Sequence, residues 1–182
     1  MYNKSMKLNA EELRDIDENE AKLRLKGLKR QPVYFILEDI LDTYNIGGLF
    51  RLADALMVEK IYLCARTTTP PNNRIFKASV GTDKVVPWEY KKTSKDAIKA
   101  LRKDIPRVRV VAIEQDEKSV DYRKVKYSVP IAFVIGNESD GISKTTLKLV
   151  DNIVEIPMWG INKSLNVIIS AAIVSYHAVS LK

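Results

Sequence analysis

One cysteine and one histidine in 182 residues leave little material for metals or cross-links. Cys64 has no second thiol to pair with, which excludes an internal disulfide and any metal site built from clustered cysteines. The single His177 falls inside an apolar C-terminal segment, where a packed core residue is expected and no metal site. No G-x-G-x-x-G occurs; "NIGGLF" offers only two adjacent glycines, so a dinucleotide fingerprint is missing. The stretch "FVIGNESDGIS" has the glycine spacing of a phosphate loop but places Ile142 where the lysine belongs. The opening residues contain no apolar run, so no secretory signal is expected. The most apolar stretch, "LNVIISAAIVSYHAVSL", is interrupted by Asn166, Ser170, Ser175 and His177 and reads as a buried helix, not a membrane span. A cytoplasmic protein with no membrane partner is the expectation. No repeat, low-complexity tract or linker divides the chain.

What is present is a 46% apolar fraction, enough for one full core, and a net charge of +7. Lys22, Arg24, Lys26, Lys29 and Arg30 close the N-terminal segment, while Arg66, Arg74 and Lys77 fall in a long loop. Loop cations of this kind can follow a phosphate backbone; they can equally be solvated surface charge. Asn9 and Glu12 have capping-box spacing for a helix whose apolar stripe is Leu13, Ile16, Leu23 and Leu28. Strands are expected at "VYFILE", "KIYLCA", "VRVVAIE", "IAFVI" and "NIVEIP". Helices are expected over residues 46–57, at "SKDAIKALRKD" and "KTTLKLV", and along the C-terminal segment. "RTTTPPNN" reads as a loop, and the residues from the end of "VRVVAIE" to Val129 as a polar, charged stretch.

Strands alternating with helices imply an α/β fold with a mostly parallel sheet flanked by helices. Ligands of such folds bind where loops converge at the carboxyl ends of strands, here the loops around Asn45, Asn137 and Asn162. The glycine-framed loop carries Glu138 and Asp140, whose charge would repel a triphosphate. Gly136 allows close backbone approach, Gly141 permits a turn, and Ser143 is placed to cap the next helix. Such a loop suits a neutral or cationic ligand such as adenosine or a sulfonium.

Three ordered segments carry a resemblance. "NIGGLFRLADAL", "IGNESDGIS" and "IPMWGINKSLNVIISAAI" resemble the motifs of the SpoU/TrmH family of SPOUT RNA methyltransferases, and "FKASVGTDKVVPW" is similar to a fourth stretch of that family. The resemblance implies a methyltransferase domain over 32–182 after an N-terminal helical extension, 1–31. It also implies a C-terminal deep trefoil knot, a rare exception to unknotted topology, and a homodimer through the last helix. The implied reaction moves a methyl group from S-adenosylmethionine to a ribose 2′-hydroxyl of RNA. Carried over by position, Arg51, Asn45, Glu138 and Asn166 are the catalytic candidates. Gly136, Ile156 and Leu165 are the main cofactor contacts, followed by Met158, Glu114, Asn137 and Ser164.

Arg51 admits two roles: a buried, neutral base for the hydroxyl, or a charged clamp on the neighbouring phosphate and developing alkoxide. The clamp is preferred, because neutralising a guanidinium near pH 7 takes a shift of roughly five units or more. A third role is a surface pair with Asp54. Glu138 can fix the arginine or order a loop, and Ser164 can cap the last helix. Ile168 and Ile169 stand where the family has small or polar residues. About 30 residues before the domain are too few for an added RNA-binding domain, which favours tRNA over ribosomal RNA. The alternatives are a ribosomal RNA substrate, methylation of a base nitrogen, or a catalytically silent RNA-binding module of the same fold.

Overall fold

In the computed structural model, Gln31–Glu38 forms β1, Val58–Cys64 β2, Trp88–Lys91 β3, Arg109–Ile113 β4, Val120–Asp121 β5, Ile131–Ile135 β6 and Asn152–Glu155 β7. The helices are α1 (Ala10–Asp15), α2 (Glu18–Leu25), α3 (Thr43–Ala55), α4 (Asn73–Ser79), α5 (Ser94–Asp104), α6 (Lys144–Leu147) and α7 (Val167–Ser180). The structure describes residues 7–27 and 29–180, without the side chains of Glu18, Lys22 and Ser180; Leu28 and the Lys22 side chain, both invoked above, lie outside the described residues.

Every strand pairing is parallel, in the order β3-β2-β1-β6-β4-β7-β5. The central strands β1 and β6 read as continuous apolar runs because both of their faces are covered. Alternation then sorts the side chains. Phe35, Leu37 and Phe133 face the layer of α3 and α7, while Ile36, Ala132 and Val134 face the layer of α5 and Ile142. Phe35 and Phe133 are register partners with ring centroids 6.3 Å apart at 68°, an edge-to-face contact. Full burial of either ring contributes about 1.5–3 kcal/mol. Chain order runs from β1 outward through β2 to β3, and the remaining strands build the other half. The reversal lies at β1 and β6, the place where a sheet of this kind opens a crevice.

The N-terminal segment departs from expectation. The capping box of Asn9 and Glu12 is formed, but the helix stops at Ile16, and Asp17 caps a second helix by accepting from Asn19 N and Glu20 N. The break lets Ile16 and Ala21 be buried, and it leaves Leu23 68% exposed rather than part of a stripe. Lys84 Nζ holds the break, donating to Arg14 O at 2.8 Å and Ile16 O at 3.2 Å. The polar stretch after β4 hides β5, a two-residue strand that, among the described residues, pairs only with β7.

α7 is apolar but not fully enclosed, since Ile169 and Tyr176 are about half exposed, at 49% and 46%. His177 packs edge-on between Tyr122 and Tyr127, with centroids 5.1 and 5.8 Å away. Cys64 is fully buried, and burial pushes its thiol up to about 12. Because the thiolate is the reactive form, Cys64 is expected to react with a thiol reagent at pH 8 only after the chain is unfolded in guanidinium. Equal labelling rates with and without denaturant would contradict this.

Candidate active site

α3 starts three residues earlier than its apolar pattern suggests, because Asp42 caps it by accepting from Tyr44 N at 2.8 Å. Asn45 therefore belongs to the first turn of a helix and not to a loop, and Arg51 lies in mid-helix. Asn45 is only 5% exposed and uses both ends of its amide. Its Nδ2 donates to Glu138 Oε1, and its Oδ1 accepts from Asn166 Nδ2 at 3.0 Å. Asn166 is itself fixed, because its Oδ1 caps α7 by accepting from Ile168 N at 2.8 Å. Ser164 does not take that role; its N–H instead bonds Asn162 Oδ1 within the preceding loop. Residues separated by 93 and 121 positions thus form one chain, Asn166 to Asn45 to Glu138. Glu138 takes its hydrogen bond from Asn45, not from Arg51.

The loop after β6 is folded by its own polar groups and by two glutamates. Asn137 Oδ1 accepts from Ser139 N and Asp140 N, and its Nδ2 donates to Asp39 O at 2.8 Å, so its side chain shapes the loop. Gly136 has no room for a side chain, since a Cβ would lie 2.6 Å from Ile142 Cγ1 and 2.7 Å from Gly141 C. Its glycine is required by closure of the loop on itself, leaving its backbone at the cleft. Ser143 caps α6 as its sequence position suggests, accepting from Thr146 N. Glu38, buried at the end of β1, accepts from Ser143 N at 2.8 Å and Thr146 Oγ1 at 2.6 Å. Sequence reasoning missed Glu38; the available signal was a carboxylate closing the otherwise apolar run "VYFIL".

Gly136, Asn137, Glu138, Glu114, Ile156, Met158, Ser164 and Leu165 all line one cleft of about 180 Å³ at the carboxyl ends of β4, β6 and β7. Its apolar wall comes from Ile113, Ile135, Val154, Ile156 and Leu165. Among the described residues, the backbones of Met158 and Leu165 make no hydrogen bond, so donors and acceptors stand available beside that wall. Apolar walls with a few free main-chain groups suit a planar base, and the Glu138 carboxylate at the rim suits a positively charged sulfonium. The residues present therefore fit the cofactor the resemblance implies.

Arg51 is not part of this cleft. It is exposed on the outer face of α3, beside a groove lined by Tyr44, Gly48, Ala78 and Ile168. It makes no hydrogen bond or ion pair with other described residues, and the pair with Asp54 is not formed. The carboxyl of Asp54 is instead raised by burial, an effect opposed by Arg30 and Lys7. Ile168 fills the space above Gly48, where a Cβ would stand 2.3 Å from Ile168 Cδ1. Of the other cations, Arg66 is held by Asp39 at 2.9 Å and Arg30 by Val58 O and Val85 O, whereas Arg74 and Lys77 are exposed on α4.

The model of the SpoU rRNA Methylase family matches residues 32–176. A tRNA (guanosine(18)-2'-O)-methyltransferase of Thermus thermophilus is 31% identical over 154 residues, covering 82% of this chain and 76% of its own length. A 23S rRNA (guanosine-2'-O-)-methyltransferase of Ralstonia nicotianae is 28% identical over 175 residues, 96% of this chain and 65% of that protein. This chain thus spans just under two thirds of the ribosomal RNA relative. Among solved structures, an AdoMet-bound rRNA methyltransferase from Sinorhizobium meliloti superposes with a TM-score of 0.76 at 28% identity, over 93% of this chain and 60% of that one. The A. aeolicus TrmH/SpoU tRNA modifying enzyme gives 0.75 at 26% identity, over 87% and 82%.

Proposed function

The chain belongs to the SpoU methylase family, and on that premise we propose that it is an S-adenosylmethionine-dependent RNA 2′-O-methyltransferase. The observation that carries the reading is the joining of Asn166, Asn45 and Glu138 into one hydrogen-bonded chain at the rim of an apolar cleft. Gly136, Ile156 and Leu165 would hold the cofactor, with Met158, Asn137 and Ser164 beside them. Bound S-adenosylmethionine supplies an electrophilic methyl group.

The chain's own residues then have to present a ribose hydroxyl and manage its charge. Asn45 and Asn166 spend their amides on fixing Glu138, which leaves Glu138 Oε2 with no partner among the described residues and able to accept a hydrogen bond from the hydroxyl and take its proton as the methyl group passes from sulfur to oxygen. Arg51, exposed and without a hydrogen-bond or ion-pair partner among the described residues, lacks the burial a neutral base would need. It acts as the charged clamp on the RNA phosphate next to the reacting oxygen, where it stabilises the alkoxide that develops.

Two finer readings accompany this one. The chain works as a homodimer: Trp159, Ile161, Leu165, Ile169 and Tyr176 expose apolar surface along α7 and the loop before it. Arg51 lies outside the cleft of its own chain and shares a groove with Ile168 of α7, so the site reads as completed across the dimer. The substrate is tRNA in preference to ribosomal RNA, a reading supported by the similarity to the Thermus thermophilus tRNA enzyme, which is matched over 76% of its length. The trefoil knot and a cytoplasmic location belong to the same reading. No helix among the described residues is long and apolar enough to cross a membrane.

Calorimetric titration with S-adenosylmethionine, followed by transfer of a labelled methyl group to bulk tRNA and bulk ribosomal RNA, tests the proposal. Binding followed by 2′-O-methylation of tRNA is expected. Binding without transfer to either pool would make the protein a silent RNA-binding module, and transfer to a base would overturn the ribose assignment.

A further inference from the structure

Glu114 and Gln115 follow β4 directly, and their side chains reach in opposite directions. Both carboxylate oxygens of Glu114 are taken by main-chain donors: Ile142 N gives to Oε2 at 2.8 Å, and Gln115 N to Oε1 at 2.8 Å. Gln115 Nε2 donates to Lys163 O at 2.6 Å. Two adjacent residues thus fasten the two loops that wall the cleft, 136–143 and 156–166, to the end of one strand.

The two attachments differ in redundancy. The first loop is also held by Glu38, by Asp39 O and by its own Asn137. It is shaped around the Glu114 carboxylate as well. Gly141 has φ +67, and a Cβ there would stand 2.5 Å from Glu114 Oε2. The second loop has far less. Between Met158 and Leu165, among the described residues, Gln115 is the only side chain of another element that bonds to it; the contact of Ser164 N with Asn162 is internal. The tip of this loop is highly exposed, with Trp159 at 86%.

We propose that Glu114 and Gln115 are positioning residues of the cleft: Gln115 latches the 156–166 loop over the bound cofactor, and Glu114 holds the facing loop at the matching distance. This rests on the cofactor reading above. It reassigns Glu114 from a cofactor contact to a group that acts through the backbone of Ile142. The latch sets how tightly and how long the cofactor is held, and it leaves the methyl transfer step untouched.

Gln115→Ala removes the donor, and Gln115→Glu sets an acceptor against Lys163 O. Because Gln115 is exposed, both variants are expected to fold and to melt as the parent does. A neutral hydrogen bond of this kind supports a rise in the Kd for S-adenosylmethionine of roughly two- to tenfold in the alanine variant, and more in the glutamate variant. KM for the cofactor should rise with it, and kcat at saturating cofactor should stay level. In cofactor-free protein, backbone NMR order parameters at 158–163, whose amides have no acceptor among the described residues, should fall in the same order. Glu114→Gln, which loses one of two acceptors, should quicken hydrogen exchange at Ile142 instead. Kd and order parameters at parental values in Gln115→Glu would overturn the latch. Failure of the parent protein to bind S-adenosylmethionine would overturn the cofactor reading, and order parameters at 158–163 would still decide the latch.

Discussion

Arg51→Ala is expected to lower methyl transfer on the order of 10²- to 10³-fold, the usual cost of removing one preorganised donor to a developing oxyanion, with cofactor affinity unchanged within about threefold. The separation follows from the geometry: Arg51 lies outside the cleft and touches none of the residues that line it through any hydrogen bond or ion pair. Its loss should not alter packing either, since the side chain is exposed and the helix continues on both sides. Arg51→Lys is the informative companion. Lysine keeps the charge but not the planar fork, so a clamp that grips phosphate and alkoxide together should recover only part of the rate. If Arg51 were a proton acceptor, the lysine variant would instead show a rate rising with pH through the lysine range. Near-parental turnover in Arg51→Ala would remove the arginine from the mechanism.

How much of this was legible in the sequence depends on whether the cause was local. α5 begins and ends where "SKDAIKALRKD" does, because Thr93 caps it and its apolar spacing is helical. β6 coincides with "IAFVI" for a similar reason: a short apolar run bounded by Pro130 and Gly136. The start of α3 is hidden by three residues because Asp42 looks like any loop acid until its Oδ1 meets Tyr44 N. β5 could not be read at all, since its two residues extend only because β7 lies beside them. The same holds at the site. The family resemblance places Asn45, Glu138 and Asn166 together, but nothing in one dimension says which amide donates to which. Glu114 illustrates the limit best: its position suggested a ligand contact, while its partner Ile142 stands 28 residues away and is bonded through the backbone, where no side-chain pattern records it.

That bonding order makes Asn45→Asp the second severe substitution. It changes one atom of a buried side chain and puts a carboxylate oxygen where Nδ2 donates to Glu138 Oε1. Two facing carboxylates cannot both stay ionised at hydrogen-bond range, so either they share a proton or the chain opens. The expected cost is a few kcal/mol at pH 7, the range for a lost buried hydrogen bond plus an unpaired charge, together with loss of transfer activity. The pH dependence has a definite sign. The shared proton raises a carboxyl in the folded variant above its unfolded value of about 4, so the variant binds more protons folded than unfolded. Its stability relative to the parent should therefore fall as pH rises from about 4 through that raised value, and it should recover in acid. Combining Asn45→Asp with Glu138→Gln reverses the polarity of the chain. The introduced carboxylate would accept from the introduced amide and still accept from Asn166 Nδ2, with the net charge unchanged. Chemical denaturation of both single variants and the double variant measures the coupling, and the double variant should regain most of the lost stability without the acid-dependent recovery. If the two substitutions were simply additive, Asn45 and Glu138 would not be the bonded pair on which the site is built.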